Sequence, residues 1–286
     1  MLLDLSTVKA IGLGLDNYDT GTQQKMFDTY FKRVNDAGGI NGRKIQPVYA
    51  TYDPLSTSGA NSGPAICVRM AKDEKVFALI GFTYTAGTCA AIQYSIPVVT
   101  ANGELEQVAR QSHNYEIHTQ PTYERIARNW TAYLLQTGLA KGKKVGLVDS
   151  ADGGNFQLAG DAVQATFQKL GQPITYHARI SNDTGSANSQ IPVEVQKMKA
   201  AGVEQVMLST NFLVATTFMQ QAEQQNYYPQ YLTSDIGALA STGLIRTGPA
   251  KSLSNLIGVT SGFAISPEGR TEQADSKDCQ VGRAHL

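Results

Sequence analysis

Charge is scarce in this chain and carries no surplus of either sign. Lysine and arginine together number 24, as do aspartate and glutamate, and charged residues are 17% of the 286. A protein that holds nucleic acid needs a basic excess to neutralise phosphates, so nucleic acid is excluded as the main partner. The same balance argues against an electrostatic anchor on an anionic membrane. No stretch approaches the roughly 18 consecutive apolar residues of a membrane span. The start, Met1-Leu2-Leu3-Asp4, lacks the basic region and apolar core of a signal peptide. By that sign a cytosolic location stays open, and an exported form would have lost its leader. Cysteine is nearly absent: Cys67, Cys89 and Cys279, with no CxxC pair, and four scattered histidines without zinc spacing. No metal site is expected from these. Cys67 and Cys89 read equally as a disulfide or as two buried thiols, and Cys279 is left over.

Catalytic motifs are missing as well. Gly12-Leu13-Gly14 follows the first expected strand, but Asn17 stands where a dinucleotide fingerprint needs its third glycine. Gly142-Lys143 has Thr137 at the leading glycine position of a phosphate-binding loop. There is no GxSxG elbow and no HExxH, and neither Cys67 nor Cys89 lies in the setting of an activated nucleophile. The expectation is a protein that is not an enzyme and takes no cofactor.

What the chain does have is 42% apolar residues, enough for a substantial core, and length enough for two domains. Strand-like runs alternate with amphipathic stretches. Val8–Leu15 reads as a strand and Thr22–Asp36 as a helix, with Met26, Phe27, Tyr30, Phe31 and Val34 on one face. Gly38-Gly39 should stop that helix. Strand Ile45–Thr51, helix Pro64–Lys72, strand Val76–Gly81, helix Ala86–Tyr94 and strand Pro97–Thr100 follow. After a pause at His118–Pro121, a second series runs through helix Tyr123–Thr137, strand Lys144–Asp149, helix Phe156–Leu170 and strand Ile174–Ile180. It continues with helix Ile191–Ala201, strand Gln205–Thr210, helix Val214–Gln225, strand Tyr231–Ser234 and strand Leu256–Phe263. Ser181–Gln190 is polar and reads as a loop. The pattern predicts an α/β protein of two doubly wound Rossmann-like lobes with mostly parallel sheets. The first lobe covers 1–119 and the second 120–262. Residues 263–286 form an irregular tail or the start of a return to the first lobe.

In such sheets ligands lie beyond the carboxyl ends of the strands. Here those ends carry hydroxyls and amides: Thr83-Tyr84-Thr85, Ala101-Asn102-Gly103-Glu104, Ser150–Asn155, Thr210-Asn211-Phe212 and Ser234-Asp235. Free N–H groups at helix starts suit a carboxylate, and Asp235 suits an ammonium group. Any one of these residues is explained as well by capping, with Thr85 and Thr88 as N-caps and Ser234-Asp235 capping the next helix.

The run Asn35-Asp36-Ala37-Gly38-Gly39-Ile40-Asn41-Gly42-Arg43-Lys44-Ile45 resembles the first-lobe signature of leucine/isoleucine/valine-binding-like periplasmic binding proteins, type I fold. Asp73–Gly81, Lys144–Ser150, Met198–Ser209, Gln221-Ala222 and Tyr231–Asp235 fit the same family in order, over about Ile11 to Val259.

The resemblance implies export to the periplasm or cell surface, lipoprotein attachment included. It also implies closure of two lobes on a small ligand, an amino acid or amide, and delivery to an ABC permease. It implies a Cys67–Cys89 disulfide as well. Carried over, Tyr84, Thr85, Asn102 and Gly103 from the first lobe and Asn211, Phe212 and Asp235 from the second would meet the ligand. Gly154-Asn155 replaces a tyrosine that the family often offers, and Asn102 and Glu104 intrude where small residues are usual, which argues against a branched-chain ligand. Hinges fall at His118–Pro121 and Val259–Phe263. The family's fold runs on past Phe263, so the C-terminus reads as truncated and apolar surface is expected to stay exposed. The alternative function is the ligand-sensing domain of a receptor or regulator with the same fold.

Overall fold

The computed structural model describes residues 1–4, 20–53, 60–81, 83–101, 103–239, 244 and 248–260. They form two compact units, Met1–Gly103 with Gln107–Gln120, and Glu104–Glu106 with Pro121–Gly262. The expected strand Val8–Leu15, with Gly12-Leu13-Gly14, lies outside the described residues.

In the first unit, β1 (Leu2–Leu3) pairs in parallel with β2 (Thr51–Tyr52). A second parallel sheet has the order β3 (Leu79–Gly81), β4 (Val98–Thr100), β5 (Glu116–His118). Helix α1 spans Thr20–Asp36 and stops, as its sequence predicts, at Gly38 and Gly39 with φ of 105° and 81°. Helix α2 (Gly63–Val68) starts with Pro64 in its first turn and runs into a π turn at Arg69–Asp73. Helix α3 (Tyr84–Tyr94) ends at Ser95 in the left-handed region, φ 53°. Helix α4 (Glu106–Gln111) precedes β5. The core gathers Ile66, Met70, Leu79, Ala86, Ala90 and Val98 around Cys67. Cys67 is bonded to Cys89 with an S–S distance of 2.04 Å, which fastens α2 to α3.

Two features of this unit concern its exposed apolar surface, and the first departs from the sequence reading. Helix α1 buries none of its residues, and Met26 and Tyr30 are exposed on the face expected to be covered. The sheet also leaves an apolar row exposed among the described residues. Ile80, Val99 and Ile117 are paired in register across β3, β4 and β5, and all three are exposed.

The second unit is a five-stranded parallel sheet of order β10-β9-β8-β6-β7. Its strands are β6 (Val145–Ser150), β7 (Tyr176–Ile180), β8 (Gln205–Leu208), β9 (Gln230–Ser234) and β10 (Leu256–Val259). Its helices are α5 (Tyr123–Gln136), α6 (Gly154–Lys169), α7 (Thr184–Ala200), α8 (Phe212–Gln224) and the single turn α9 (Ala250–Leu253). The two-residue alternation of the strands sorts the core into two layers. Leu147, Met207 and Leu232 pack with Trp130, Leu134 and Phe167 of α5 and α6. Val148, Val206 and Leu208 pack with Ile191, Met198 and Phe218 of α7 and α8. Every residue of β6 and β8 is buried, as strands covered on both faces must be.

The expected loop Ser181–Gln190 is corrected: helix α7 already begins at Thr184. Asp183 is its N-cap and accepts from the Ser186 N–H at 2.9 Å. Ala187 and Ile191 are buried one turn apart, so packing supplies what the polar composition conceals. Proline 192 inside α7 removes one helical donor without ending the helix.

Candidate functional site

The strand order of the second unit makes one crevice position. From β6, the chain goes outward to β7 on one side, then returns to β8 on the other. At such a switch point the loops after β6 and β8 diverge, and ligands of open α/β sheets bind there. Ser150 ends β6, Asn182 follows β7 and Asn211 follows β8. Hydrogen bonds tie the three together. Asn211 donates through Nδ2 to Asn182 Oδ1 at 2.9 Å, and Asn182 Nδ2 donates to Ser150 Oγ at 2.7 Å. Asp152 braces the group by accepting from Ser181 Oγ at 3.0 Å and from the Asn182 N–H. Asn211 is also the N-cap of α8, accepting from the Val214 N–H at 2.9 Å. Its side chain is therefore held in place before any ligand arrives. Phe212 opens α8 and packs half-buried against the core.

Asp235 lies past the end of β9 and accepts from Thr260 Oγ1, beyond β10, at 2.6 Å. It does not cap the 3₁₀ turn Ile236–Ala238 with its side chain; Ser234 Oγ accepts the Ile236 N–H at 3.3 Å instead. Asp235 and Thr260 stand at a largely apolar groove of about 560 Å³, walled by Trp130, Leu139, Ile257 and Val259. Gly237 has φ 66°, and a Cβ there would come within 2.1 Å of the Thr210 carbonyl oxygen, so the turn that places Asp235 needs glycine.

Asn155 stands in the first turn of α6, just past the loop after β6. Its side chain bonds the hydroxyl of Tyr123, whose ring meets Phe156 edge-on at 6.2 Å. Burial holds the Tyr123 hydroxyl above the usual tyrosine range, and the bond from Asn155 works against that rise.

Beneath Ser150 lies a fully buried carboxylate. Asp149 Oδ2 is 2.8 Å from His177 Nε2, and Oδ1 is 3.6 Å from Arg179 Nε. Burial pushes its pKa up, and the two neighbouring bases pull it back. Helix α6 passes so close that a Cβ on Gly160 would lie 2.1 Å from Asp149 Oδ2.

In the first unit, Tyr84 and Thr85 follow β3 and Gly103 follows β4, which places them at the carboxyl ends of neighbouring strands. Asn102 lies outside the described residues. Tyr84 has φ 41°, a left-handed conformation that costs a bulky residue free energy and recurs where function requires it. Its ring stacks on Tyr52 at 5.1 Å. The Tyr52 hydroxyl is raised by burial, and its bond with Thr85 opposes the rise. The N-cap of α3 is Thr83, so neither Thr85 nor Thr88 fills that role. Glu104 turns back on its own backbone, accepting from the Leu105 N–H at 2.9 Å. Among the described residues, no group of three or more His, Cys, Asp or Glu is placed to hold a metal ion.

Residues 18–279 match the profile of the family described as periplasmic binding protein. The chain belongs to that family. It falls in the type I, leucine/isoleucine/valine-binding-like branch, whose members are extracytoplasmic solute-binding proteins rather than enzymes. No curated protein matches its sequence. Among solved structures, it is similar to an ABC transporter substrate-binding protein from Desulfitobacterium hafniense in complex with Leu, with TM-score 0.61 and 14% identity, covering 92% of this chain and 72% of that one. A solute-binding protein from R. palustris in complex with 4-hydroxybenzoate gives TM-score 0.64 and 17% identity, covering 92% and 67%. A putative branched-chain amino acid ABC transporter from Silicibacter pomeroyi gives TM-score 0.64 and 16% identity, covering 91% and 70%. At these identities the likeness bears on the fold. Sequence reasoning placed Ser150 at a ligand-facing strand end but missed Asn182 and its link to Ser150, because that link depends on side chains meeting across strands. The only local signal was the Asp183 N-cap that begins the helix behind Asn182.

Proposed function

We propose that this periplasmic binding protein is the solute-binding component of an ABC importer and takes a small carboxylate-bearing ligand, an amino acid or an aromatic acid. The ligand would be captured as the two lobes of the type I fold close, then passed to a membrane permease. The observation that carries this reading is the preset polar edge of the second unit: Ser150, Asn182 and Asn211 joined by hydrogen bonds at the switch point, with Asp235 at the next strand end. A site whose side chains are already fixed loses little conformational freedom on binding. The strained Tyr84 at a strand end of the first unit supports a role for that edge as well.

The ligands named for the solved neighbours, Leu and 4-hydroxybenzoate, share a carboxylate and differ in the ammonium group. In this reading Asp235 decides between them, since a carboxylate favours an ammonium and repels a second anion. A thermal-shift panel of amino acids, their amides and hydroxybenzoates tests it. A ligand bound only by the folded state raises the melting temperature by mass action. Asp235→Ala should abolish the response to amino acids and spare any response to hydroxybenzoates. If no member of the panel shifts the transition at millimolar concentration, the proposed ligand class is wrong.

A further inference from the structure

The groove beside Asp235 is walled by two apolar rows of the second unit. Ile126, Trp130 and Tyr133 recur at i, i+4 and i+7 on α5, and Ile257 and Val259 alternate on the edge strand β10. Tyr133 is 49% exposed and Leu139 36%, so part of this apolar surface still faces water. The groove follows β10 from end to end. Asp235 and Thr260 lie past the carboxyl ends of β9 and β10. Leu139 lies at the amino-terminal end, where its carbonyl accepts from Nε2 of Gln205, the first residue of β8, at 2.8 Å. A volume of about 560 Å³ suits a small molecule, whose sites run from roughly 300 to 1,000 Å³. The α5 row spans about 10 Å at the helical rise, the length of one ring and a short alkyl chain. Among the described residues of the wall, Asp235 is the one carboxylate, and there is no lysine, arginine or histidine. An anion entering the groove meets a like charge and no base. An ammonium meets a carboxylate oriented by the Thr260 hydroxyl at 2.6 Å and able to accept further bonds.

We propose that the groove between α5 and β10 binds a small apolar amine that carries no carboxylate, an arylalkylamine in class. Its ammonium sits on Asp235, and its ring lies between the α5 row and the β10 row. Release of water from the two rows drives the ring inward, and the carboxylate fixes which end leads. The seat shares Asp235 with the edge proposed for the transported solute and shares none of the apolar walls. An amine in place therefore competes with any amino acid that uses that acid.

Trp130 lines the groove and is the chain's single tryptophan, so its emission reports occupancy in the unaltered protein. The probes are 2-phenylethylamine and 3-phenylpropionate, which present similar apolar bodies with opposite charge, excited where a phenyl ring does not absorb. The amine should change the emission saturably, and the acid should bind at least about tenfold more weakly. Asp235→Asn should weaken the amine by about the same factor and leave the acid no weaker. Tyr133→Lys, at a half-exposed helix position, places a cation in the groove and should weaken the amine as well, which keeps the test decisive if the first variant folds poorly. No saturable change with the amine at millimolar concentration would overturn the proposal, as would equal affinity for the two probes or an amine affinity unmoved in both variants. Amino acids that bind while the amine fails would sink this seat and leave the transport reading standing.

Discussion

Reducing the Cys67–Cys89 disulfide should cost the first unit a large share of its stability. The bond closes a loop with a sequence separation of 22 between two helices of that unit's core. Constraining a loop of that size in the unfolded chain is worth about 3 kcal/mol on the chain-entropy estimate. The described part of the core is modest, with strands of two or three residues, so that amount weighs heavily against a domain stability of about 5–15 kcal/mol. With a urea slope of roughly 1–3 kcal/mol per molar, the unfolding midpoint should move down by about 1–3 M. The assay is urea unfolding of a Cys279→Ala protein, oxidised and then reduced, so that no third thiol can exchange. The chain's single tryptophan, Trp130, belongs to the second unit and reports that unit separately. Hydrogen exchange of α2 and α3 reports the first. Coincident oxidised and reduced transitions in α2 and α3 would refute the reasoning.

Gly160→Ala should destabilise the second unit by about 1–3 kcal/mol, as overpacked cores do, despite alanine's better helix propensity; Trp130 fluorescence in urea reads the loss. Asn182→Ala unlinks Asn211 from Ser150 and should cost on the order of 1 kcal/mol, with a matching loss of affinity for whichever panel ligand binds. Burial holds the Tyr227 and Tyr231 hydroxyls above the ordinary tyrosine range. An acid raised in the folded state loses stability as pH rises through its unfolded value, so ultraviolet titration should show both ionising only together with unfolding.

The second unit was the more legible part of the sequence. Strand Val145–Ser150 is buried on both faces and opens on the apolar run Val145–Val148, and Ile126, Trp130 and Leu134 mark α5 by spacing alone. Helix α4 and strand β5 were not legible, because Glu106–Gln111 is short and polar and β5 buries a glutamate, Glu116, where the pattern calls for an apolar residue. The opening of α7 was hidden for the opposite reason: its polar surface residues outvote the buried Ala187 in any composition count. At the candidate site, the strand ends of Tyr84, Asn211 and Asp235 were readable from the alternation of elements. The left-handed backbone of Tyr84 and the bridge through Asn182 were not, since both arise only when distant segments meet.

The bare row of Ile80, Val99 and Ile117 bears on how the protein behaves in the tube. Attraction between such stripes is driven by the release of water, so it strengthens on warming and weakens on cooling. Clouding of a concentrated sample should therefore come on with gentle heating below the unfolding transition and clear again on ice. Sulfate should bring it on sooner, and a charged residue in place of Val99 should delay it.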